Sequence, residues 1–177
     1  MKQRILNVGC GNDTYGTDFV DVYPLRKGVF KCNLDEEKLP YKNNTFDEVY
    51  CAFVFEHLKN PNLILKEMVR VLKRGGKVIL KTDNAGWWGY HNSKSDFKVH
   101  YGGYSFENQS RDDDKHYALY TTHHLENHFK EAGLKVLHFH IYQRDKLWFL
   151  MNLINSFLNK TRFKWMAYPQ IEIIGKK

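Results

Sequence analysis

Ile5-Leu6-Asn7-Val8-Gly9-Cys10-Gly11-Asn12 is the stretch from which the fold reads. A short, mostly apolar run of this kind suits a buried strand, and it ends in Gly-x-Gly. Glycines there let the backbone take positive φ and let a ligand come close to the main chain. An ordinary glycine turn would look the same, so the next element decides. Phe19 to Val22 forms a second strand carrying Asp21 at its end. A carboxylate so placed can accept both hydroxyls of a ribose.

A dinucleotide site would need Gly-x-Gly-x-x-Gly and an acid about twenty residues further on. Here Thr14 stands at the third glycine position, and Asp21 follows Gly11 too soon for a full helix between them. Without that helix a pyrophosphate loses its cradle, so the spacing suits a nucleoside ligand without phosphates.

Outward from this pair the chain alternates strands and helices. Arg4 to Val8, Phe19 to Val22, Val29 to Asn33 and Phe46 to Phe53 read as four strands. Asn60-Pro61 opens a helix, with Asn60 as N-cap, Pro61 in the first turn, and Ile64, Met68, Val71 and Leu72 on one face. Gly75-Gly76 is expected to stop it and turn into a fifth strand, Lys77 to Thr82. Thr121 or Thr122 caps a second helix bearing Leu125, Phe129 and Ala132, with Gly133 as its stop. Val136 to Tyr142 and Ile171 to Ile174 complete the strands. Such alternation predicts a mostly parallel α/β sheet, in which ligands bind beyond the carboxyl ends of the strands. Residues 85–120 lack a period, and a long irregular stretch there predicts a lid.

Composition narrows the class. The 177 residues are 42% apolar and 15% aromatic, which sustains one packed domain over 1–177 and argues against disorder. No apolar run is long enough for a membrane span. Met-Lys-Gln-Arg enters the first strand at once, so no cleavable signal peptide is expected. Cys10, Cys32 and Cys51 form neither a metal pattern nor a disulfide framework, which predicts a reducing cytoplasm and no metal site. The net charge of +7 comes from scattered residues, so RNA is a possible partner but not the favoured one.

Six pieces now line up: Leu6 to Gly11, Val20-Asp21-Val22, Leu39-Pro40-Tyr41, Phe46 to Val49, Glu56-His57-Leu58 and Arg70 to Gly76. Their order and spacing resemble the class I S-adenosylmethionine-dependent methyltransferases, of the type 11-like short variety with a truncated first helix. The resemblance implies a three-layer sandwich around a seven-stranded, mostly parallel, Rossmann-like sheet with an antiparallel last strand. It implies S-adenosylmethionine as cofactor and S-adenosylhomocysteine as product. Gly9, Cys10 and Gly11 would lie under the methionine and ribose, and Asp21 would hold the ribose hydroxyls. Asn33-Leu34 stands where the family often has Asp-Leu, so a neutral amide carbonyl would receive the adenine amino group. Ala52 and Phe53 would line the pocket near the sulfonium. Arg70 to Gly76 reads as structural.

Methyl transfer from a sulfonium asks mainly for alignment and exclusion of water. A base is needed only when the acceptor must lose a proton, and His116 and His57 are the candidates, beside His100, Tyr101 and Tyr104 in the lid. A small-molecule or glycan-type acceptor is the first expectation. An RNA or protein acceptor and a non-catalytic nucleoside-binding module are the alternatives; no Asn-Pro-Pro-Tyr motif for base methylation is present. Residues 146–168 hold a nearly all-apolar helix followed by Lys160, Arg162 and Lys164. It is left open whether that helix packs on the sheet, forms a homodimer face rather than a monomer surface, or touches lipid peripherally.

Overall fold

Residues 3–87, 116–142, 149–161, 168 and 170–177 are described by a computed structural model. In chain order the elements are β1 (Ile5–Val8), β2 (Asp18–Asp21), β3 (Val29–Lys31), β4 (Phe46–Ala52), a 3-10 turn (Phe55–His57), α1 (Pro61–Val71), β5 (Leu72–Asp83), α2 (Thr122–Glu131), β6 (Lys135–Tyr142), α3 (Phe149–Asn159) and β7 (Gln170–Lys176). One seven-stranded sheet runs in the order β3-β2-β1-β4-β5-β7-β6. The first five strands are parallel, and β7 is antiparallel to both β5 and β6. This is the expected Rossmann-like sheet, with its chain-terminal strand reversed.

Period-two burial explains how the sheet packs. Leu6 and Val8, Val49 and Cys51, Val78 and Leu80, and Ile171 and Ile173 are buried on one face. They share a core with Ile64, Leu65, Met68 and Val71 of α1 and with Leu125 and Phe129 of α2. The other parity is polar. Asn7 donates to Asp13 Oδ2 and to the Tyr15 carbonyl, and the Tyr15 hydroxyl donates to Glu48, which also pairs with Lys77 at 3.0 Å. That bond to Glu48 is the main reason the Tyr15 hydroxyl's pKa rises to about 12. The Tyr15 ring lies 4.7 Å from that of Tyr50. Parallel sheets covered on both sides by helices carry near-continuous apolar strands. Here residues 9–17 join β1 to β2 without a helix, and their side chains meet the sheet directly.

Two local expectations change. Asn60 is the N-cap of α1 and Pro61 begins it, but the Asn60 side chain makes no capping bond. Gly75-Gly76 does not end the helix: Val71 does, and Leu72 is already extended. The glycine pair instead lies inside β5 where its register to β4 shifts, with the Gly75 N–H donating to the Lys177 carbonyl. A Cβ on Gly76 would stand 2.8 Å from the Asp47 carbonyl, so close strand approach is what requires glycine there.

Arg70 shows why that motif is structural. Its guanidinium donates to both Glu67 carboxylate oxygens, to the Leu39 and Tyr41 carbonyls and to Asn43. Glu67 in turn accepts from the Leu39 N–H. One side chain thus ties residues 39–43 to α1. Arg70→Ala should cost about 1–3 kcal/mol of stability by leaving Glu67 and two carbonyls short of donors. Denaturant titration checks this; a variant as stable as the parent would remove Arg70 from the scaffold. The Arg70 hydrogen bonds hold the Glu67 carboxyl below its usual range. Its contribution is therefore present above the ordinary carboxylate range and is lost as pH falls through the depressed value.

Candidate active site

A cleft of about 420 Å³ opens beyond the carboxyl ends of β1, β2 and β4. Its walls include Gly9, Gly11, Asp21, Asn33, Leu34, Phe53 and His57. Of the residues read from the sequence as site residues, these seven meet at one place. Cys10, Ala52 and His116 do not line it. The Cys10 side chain is buried with its Sγ against the Gly11 carbonyl, and burial is the main cause that raises its thiol pKa. Ala52 is half-buried at the last position of β4, one residue short of the wall.

The glycine turn is built tightly. The Gly9 and Cys10 N–H groups both donate to the Val20 carbonyl, and Asp13 N–H donates to the Cys10 carbonyl at 2.7 Å. The two glycines serve different needs. A Cβ on Gly9 would lie 2.3 Å from Val54 Cγ2, whereas one on Gly11 would meet nothing within 4 Å. Both have positive φ, +68° and +48°. Gly9 is demanded by packing, and Gly11 keeps the cleft open.

Asp21 closes the turn. Its Oδ2 accepts from the Gly11 N–H at 2.7 Å and its Oδ1 from the Tyr23 N–H at 2.8 Å. Asp21 also lines the cleft, and a carboxylate can accept about four hydrogen bonds. Arg26 braces the same turn, donating to the Gly11 and Asp13 carbonyls while its guanidinium lies over the Phe19 ring at 4.5 Å. At Asn33 the amide carbonyl already accepts the Asp35 N–H at 3.2 Å. Asp35 also lines the cleft and accepts the Asn60 N–H. Sequence reading missed Asp35, Tyr23, Leu25 and Lys59, whereas Tyr117 belongs to the segment 85–120 expected to form the lid over the site. Only Asp35, two residues beyond Asn33 after a strand, left a legible signal.

The far wall is set by the 3-10 turn. Phe53, at the tip of β4, takes φ +56°, uncommon for a non-glycine residue and typical of ligand-facing positions. Buried Glu56 accepts the Thr82 hydroxyl at 2.9 Å, and its carbonyl accepts the Tyr117 N–H at 2.8 Å. The returning chain is thereby held against the turn. Tyr117 reaches the wall with Lys59 over its ring, and His116 stands edge-to-face with His57 at 4.5 Å. The Ala85 N–H donates to the Tyr120 carbonyl, and Asn84 pairs with Tyr120, so the two ends of the expected lid meet beside the cleft. The lid residues proper, with His100, Tyr101 and Tyr104, lie outside the described residues. Among the described residues no three His, Cys, Asp or Glu side chains form a metal-binding group.

Known proteins agree with this architecture. The profile of the family described as a methyltransferase domain matches residues 25–80. A ubiquinone/menaquinone biosynthesis C-methyltransferase of Chromobacterium violaceum is 43% identical over 53 residues, covering 30% of this chain and 22% of that protein. A sterol 4-C-methyltransferase of Caenorhabditis elegans is 39% identical over 46 residues, covering 26% of this chain and 14% of its own. The chain spans less than half the length of these curated relatives. In structure, an S-adenosylmethionine-dependent methyltransferase of Archaeoglobus fulgidus aligns with a TM-score of 0.65 at 14% identity, covering 99% of this chain and 86% of that one. Sheet order, glycine turn, strand-end acid and the profile match over residues 25–80 make the chain similar to the class I S-adenosylmethionine-dependent methyltransferases, in fold along nearly its whole length and in sequence over that segment.

Proposed function

We propose that the cleft binds S-adenosylmethionine and that the chain transfers its methyl group to a small organic acceptor. The observation that carries this is the open space over Gly11 beside the Asp21 carboxylate. A ligand seated there fills the place a Cβ would occupy, and its ribose hydroxyls reach the remaining lone pairs of Asp21. Val22, Leu34 and Leu58 supply apolar walls for the base, with Asn33 and Asp35 as polar acceptors at its edge. The cofactor, when bound, supplies a methyl group already activated on a sulfonium.

The chain's own residues then have two tasks. Phe53 and Val54 shield the reacting end from water, and Tyr117 and Lys59 bound the space left for the acceptor. His57 is the side chain at the wall able to take a proton from an acceptor that must lose one. His116, edge-on to His57, is a positioning residue. The quinone-biosynthesis and sterol C-methyltransferases among its relatives support an organic rather than a macromolecular acceptor.

Incubation with methyl-labelled S-adenosylmethionine and panels of organic extract, RNA and protein tests the reading. Label should move into the organic fraction; label confined to RNA or protein would overturn it. With a labelled acceptor in hand, His57→Ala should lower kcat about 10²- to 10⁴-fold with S-adenosylhomocysteine affinity unchanged. His116→Ala should shift the pH profile of kcat more than its plateau. An unchanged kcat in His57→Ala would mean that no base is used at that wall.

A further inference from the structure

The two faces of the sheet are covered unequally. Helices α1 and α2 share a core with Val49, Leu80 and Ile173, all on one face. On the other, Tyr50, Lys81 and Glu172 of the inner strands stay half-buried, and Lys176, His138 and His140 are exposed. Strand register gathers on this open face lysines that lie far apart in the chain. Lys77 of β5 stands directly opposite Lys176 of β7, and Lys176 directly opposite Lys135 of β6. Directly paired residues share a face, and neighbouring strands lie about 4.8 Å apart, so the three form one row about 10 Å long.

Like charges directly opposite one another on adjacent strands destabilise a sheet. Lys77 has an acid, Glu48 at 3.0 Å, but among the described residues Lys135 and Lys176 pair with none. Two rows further along the same strands the sequence does the reverse. There Lys81, Glu172 and His140 stand in line, and Lys81 and Glu172 form an ion pair at 3.1 Å. The lysine row is therefore unfavourable within the fold, and an anion bound over it would offset the repulsion. Rings lie beside the row. His138, His140 and Tyr142 follow one another on β6, with centroids 6.3 and 5.5 Å apart and the second pair stacked.

We propose that this face docks a single-stranded nucleic acid, with phosphates on the row Lys77, Lys176 and Lys135 and unpaired bases on the rings of β6. A basic strip beside exposed rings on an open sheet is the chemistry that holds single strands. A duplex keeps its bases stacked inside, away from such rings. A lipid surface or an acidic protein would meet the lysines and leave the rings without a planar partner. The row sits at the amino end of β5, whereas the cleft opens beyond the carboxyl ends of β1, β2 and β4. None of the three lysines lines the cleft. The surface is therefore separate from the methyl-transfer site and does not depend on the reading of that site.

Fluorescence anisotropy of the full chain with a short dye-labelled oligouridylate tests this. Binding should weaken with salt along a log–log slope of about −2, as for some three phosphates. The double substitution Lys135→Glu, Lys176→Glu should lower affinity about tenfold or more at low salt and flatten that slope. His140→Ala with Tyr142→Ala should weaken binding about fivefold or more at an unchanged slope, because it removes rings and no lysine. The milder Lys135→Ala, Lys176→Ala keeps the test available if the glutamates disturb the fold. It should melt at or above the parental temperature, since it relieves a repulsion. Oligodeoxythymidylate is the second arm: weaker binding than oligouridylate assigns the face to RNA, and equal binding to a single strand of either sugar. No binding of either strand, a duplex of equal length bound as tightly, or ring variants that bind as the parent does would overturn the proposal. Binding to phosphatidylglycerol vesicles without binding to either strand would overturn it too and give the face to lipid.

Discussion

Asp21→Asn should weaken S-adenosylhomocysteine binding by roughly 2–4 kcal/mol, a loss of some 30- to 1,000-fold. The effect is large because the carboxylate acts twice. It accepts the Gly11 and Tyr23 N–H groups, which shapes the turn, and under the proposed function it also receives the ribose hydroxyls. An amide cannot serve both N–H groups without setting its own NH₂ against one of them. Thermal melting beside the binding titration separates turn from ligand. A variant that melts as the parent does and binds weakly confirms the ribose contact. One that binds with parental affinity removes the ribose from Asp21.

Gly11→Val and Gly9→Ala should fail in opposite ways. At Gly11 the added side chain projects into open cleft space. Binding should fall by roughly a hundredfold or more, while the +48° φ costs about 1–2 kcal/mol of stability. At Gly9 even a methyl group collides with Val54 at 2.3 Å, so stability should drop by about 1–3 kcal/mol or more before binding is asked about. Circular dichroism melts and binding isotherms on both proteins read the contrast. Equal loss of fold in the two would make Gly11 a packing glycine as well, and the ligand would have to lie elsewhere.

Much of this was legible because local chemistry and fold agree. The run from Ile5 to Gly11 names its own strand and turn, and Asp21 falls at the end of the next strand because the link between them is too short for a helix. Thr121 is an N-cap whose hydroxyl accepts the His124 N–H, as its position before an amphipathic run implies. What escaped reading depends on partners distant in sequence. Nothing around Gly75-Gly76 says that Lys177 will pair beside it and draw both glycines into β5. Lys59 lines the cleft beside Tyr117 only because Glu56 receives the Tyr117 N–H across the fold. His116, a candidate base in an aperiodic segment, stands edge-on to His57, and its neighbour Tyr117 is the one of the two at the wall. The polar sheet face was unread for a similar reason. Glu48 reads as a solvated strand residue until Tyr15 and Lys77 bury it.

Calorimetric titration of the purified chain with S-adenosylhomocysteine tests the central claim most directly. One molecule should bind per chain with micromolar affinity, and Gly11→Val should abolish the heat while retaining the parental circular dichroism spectrum. No binding heat from the folded parent, or binding that Gly11→Val leaves intact, would contradict the assignment of this cleft to the cofactor.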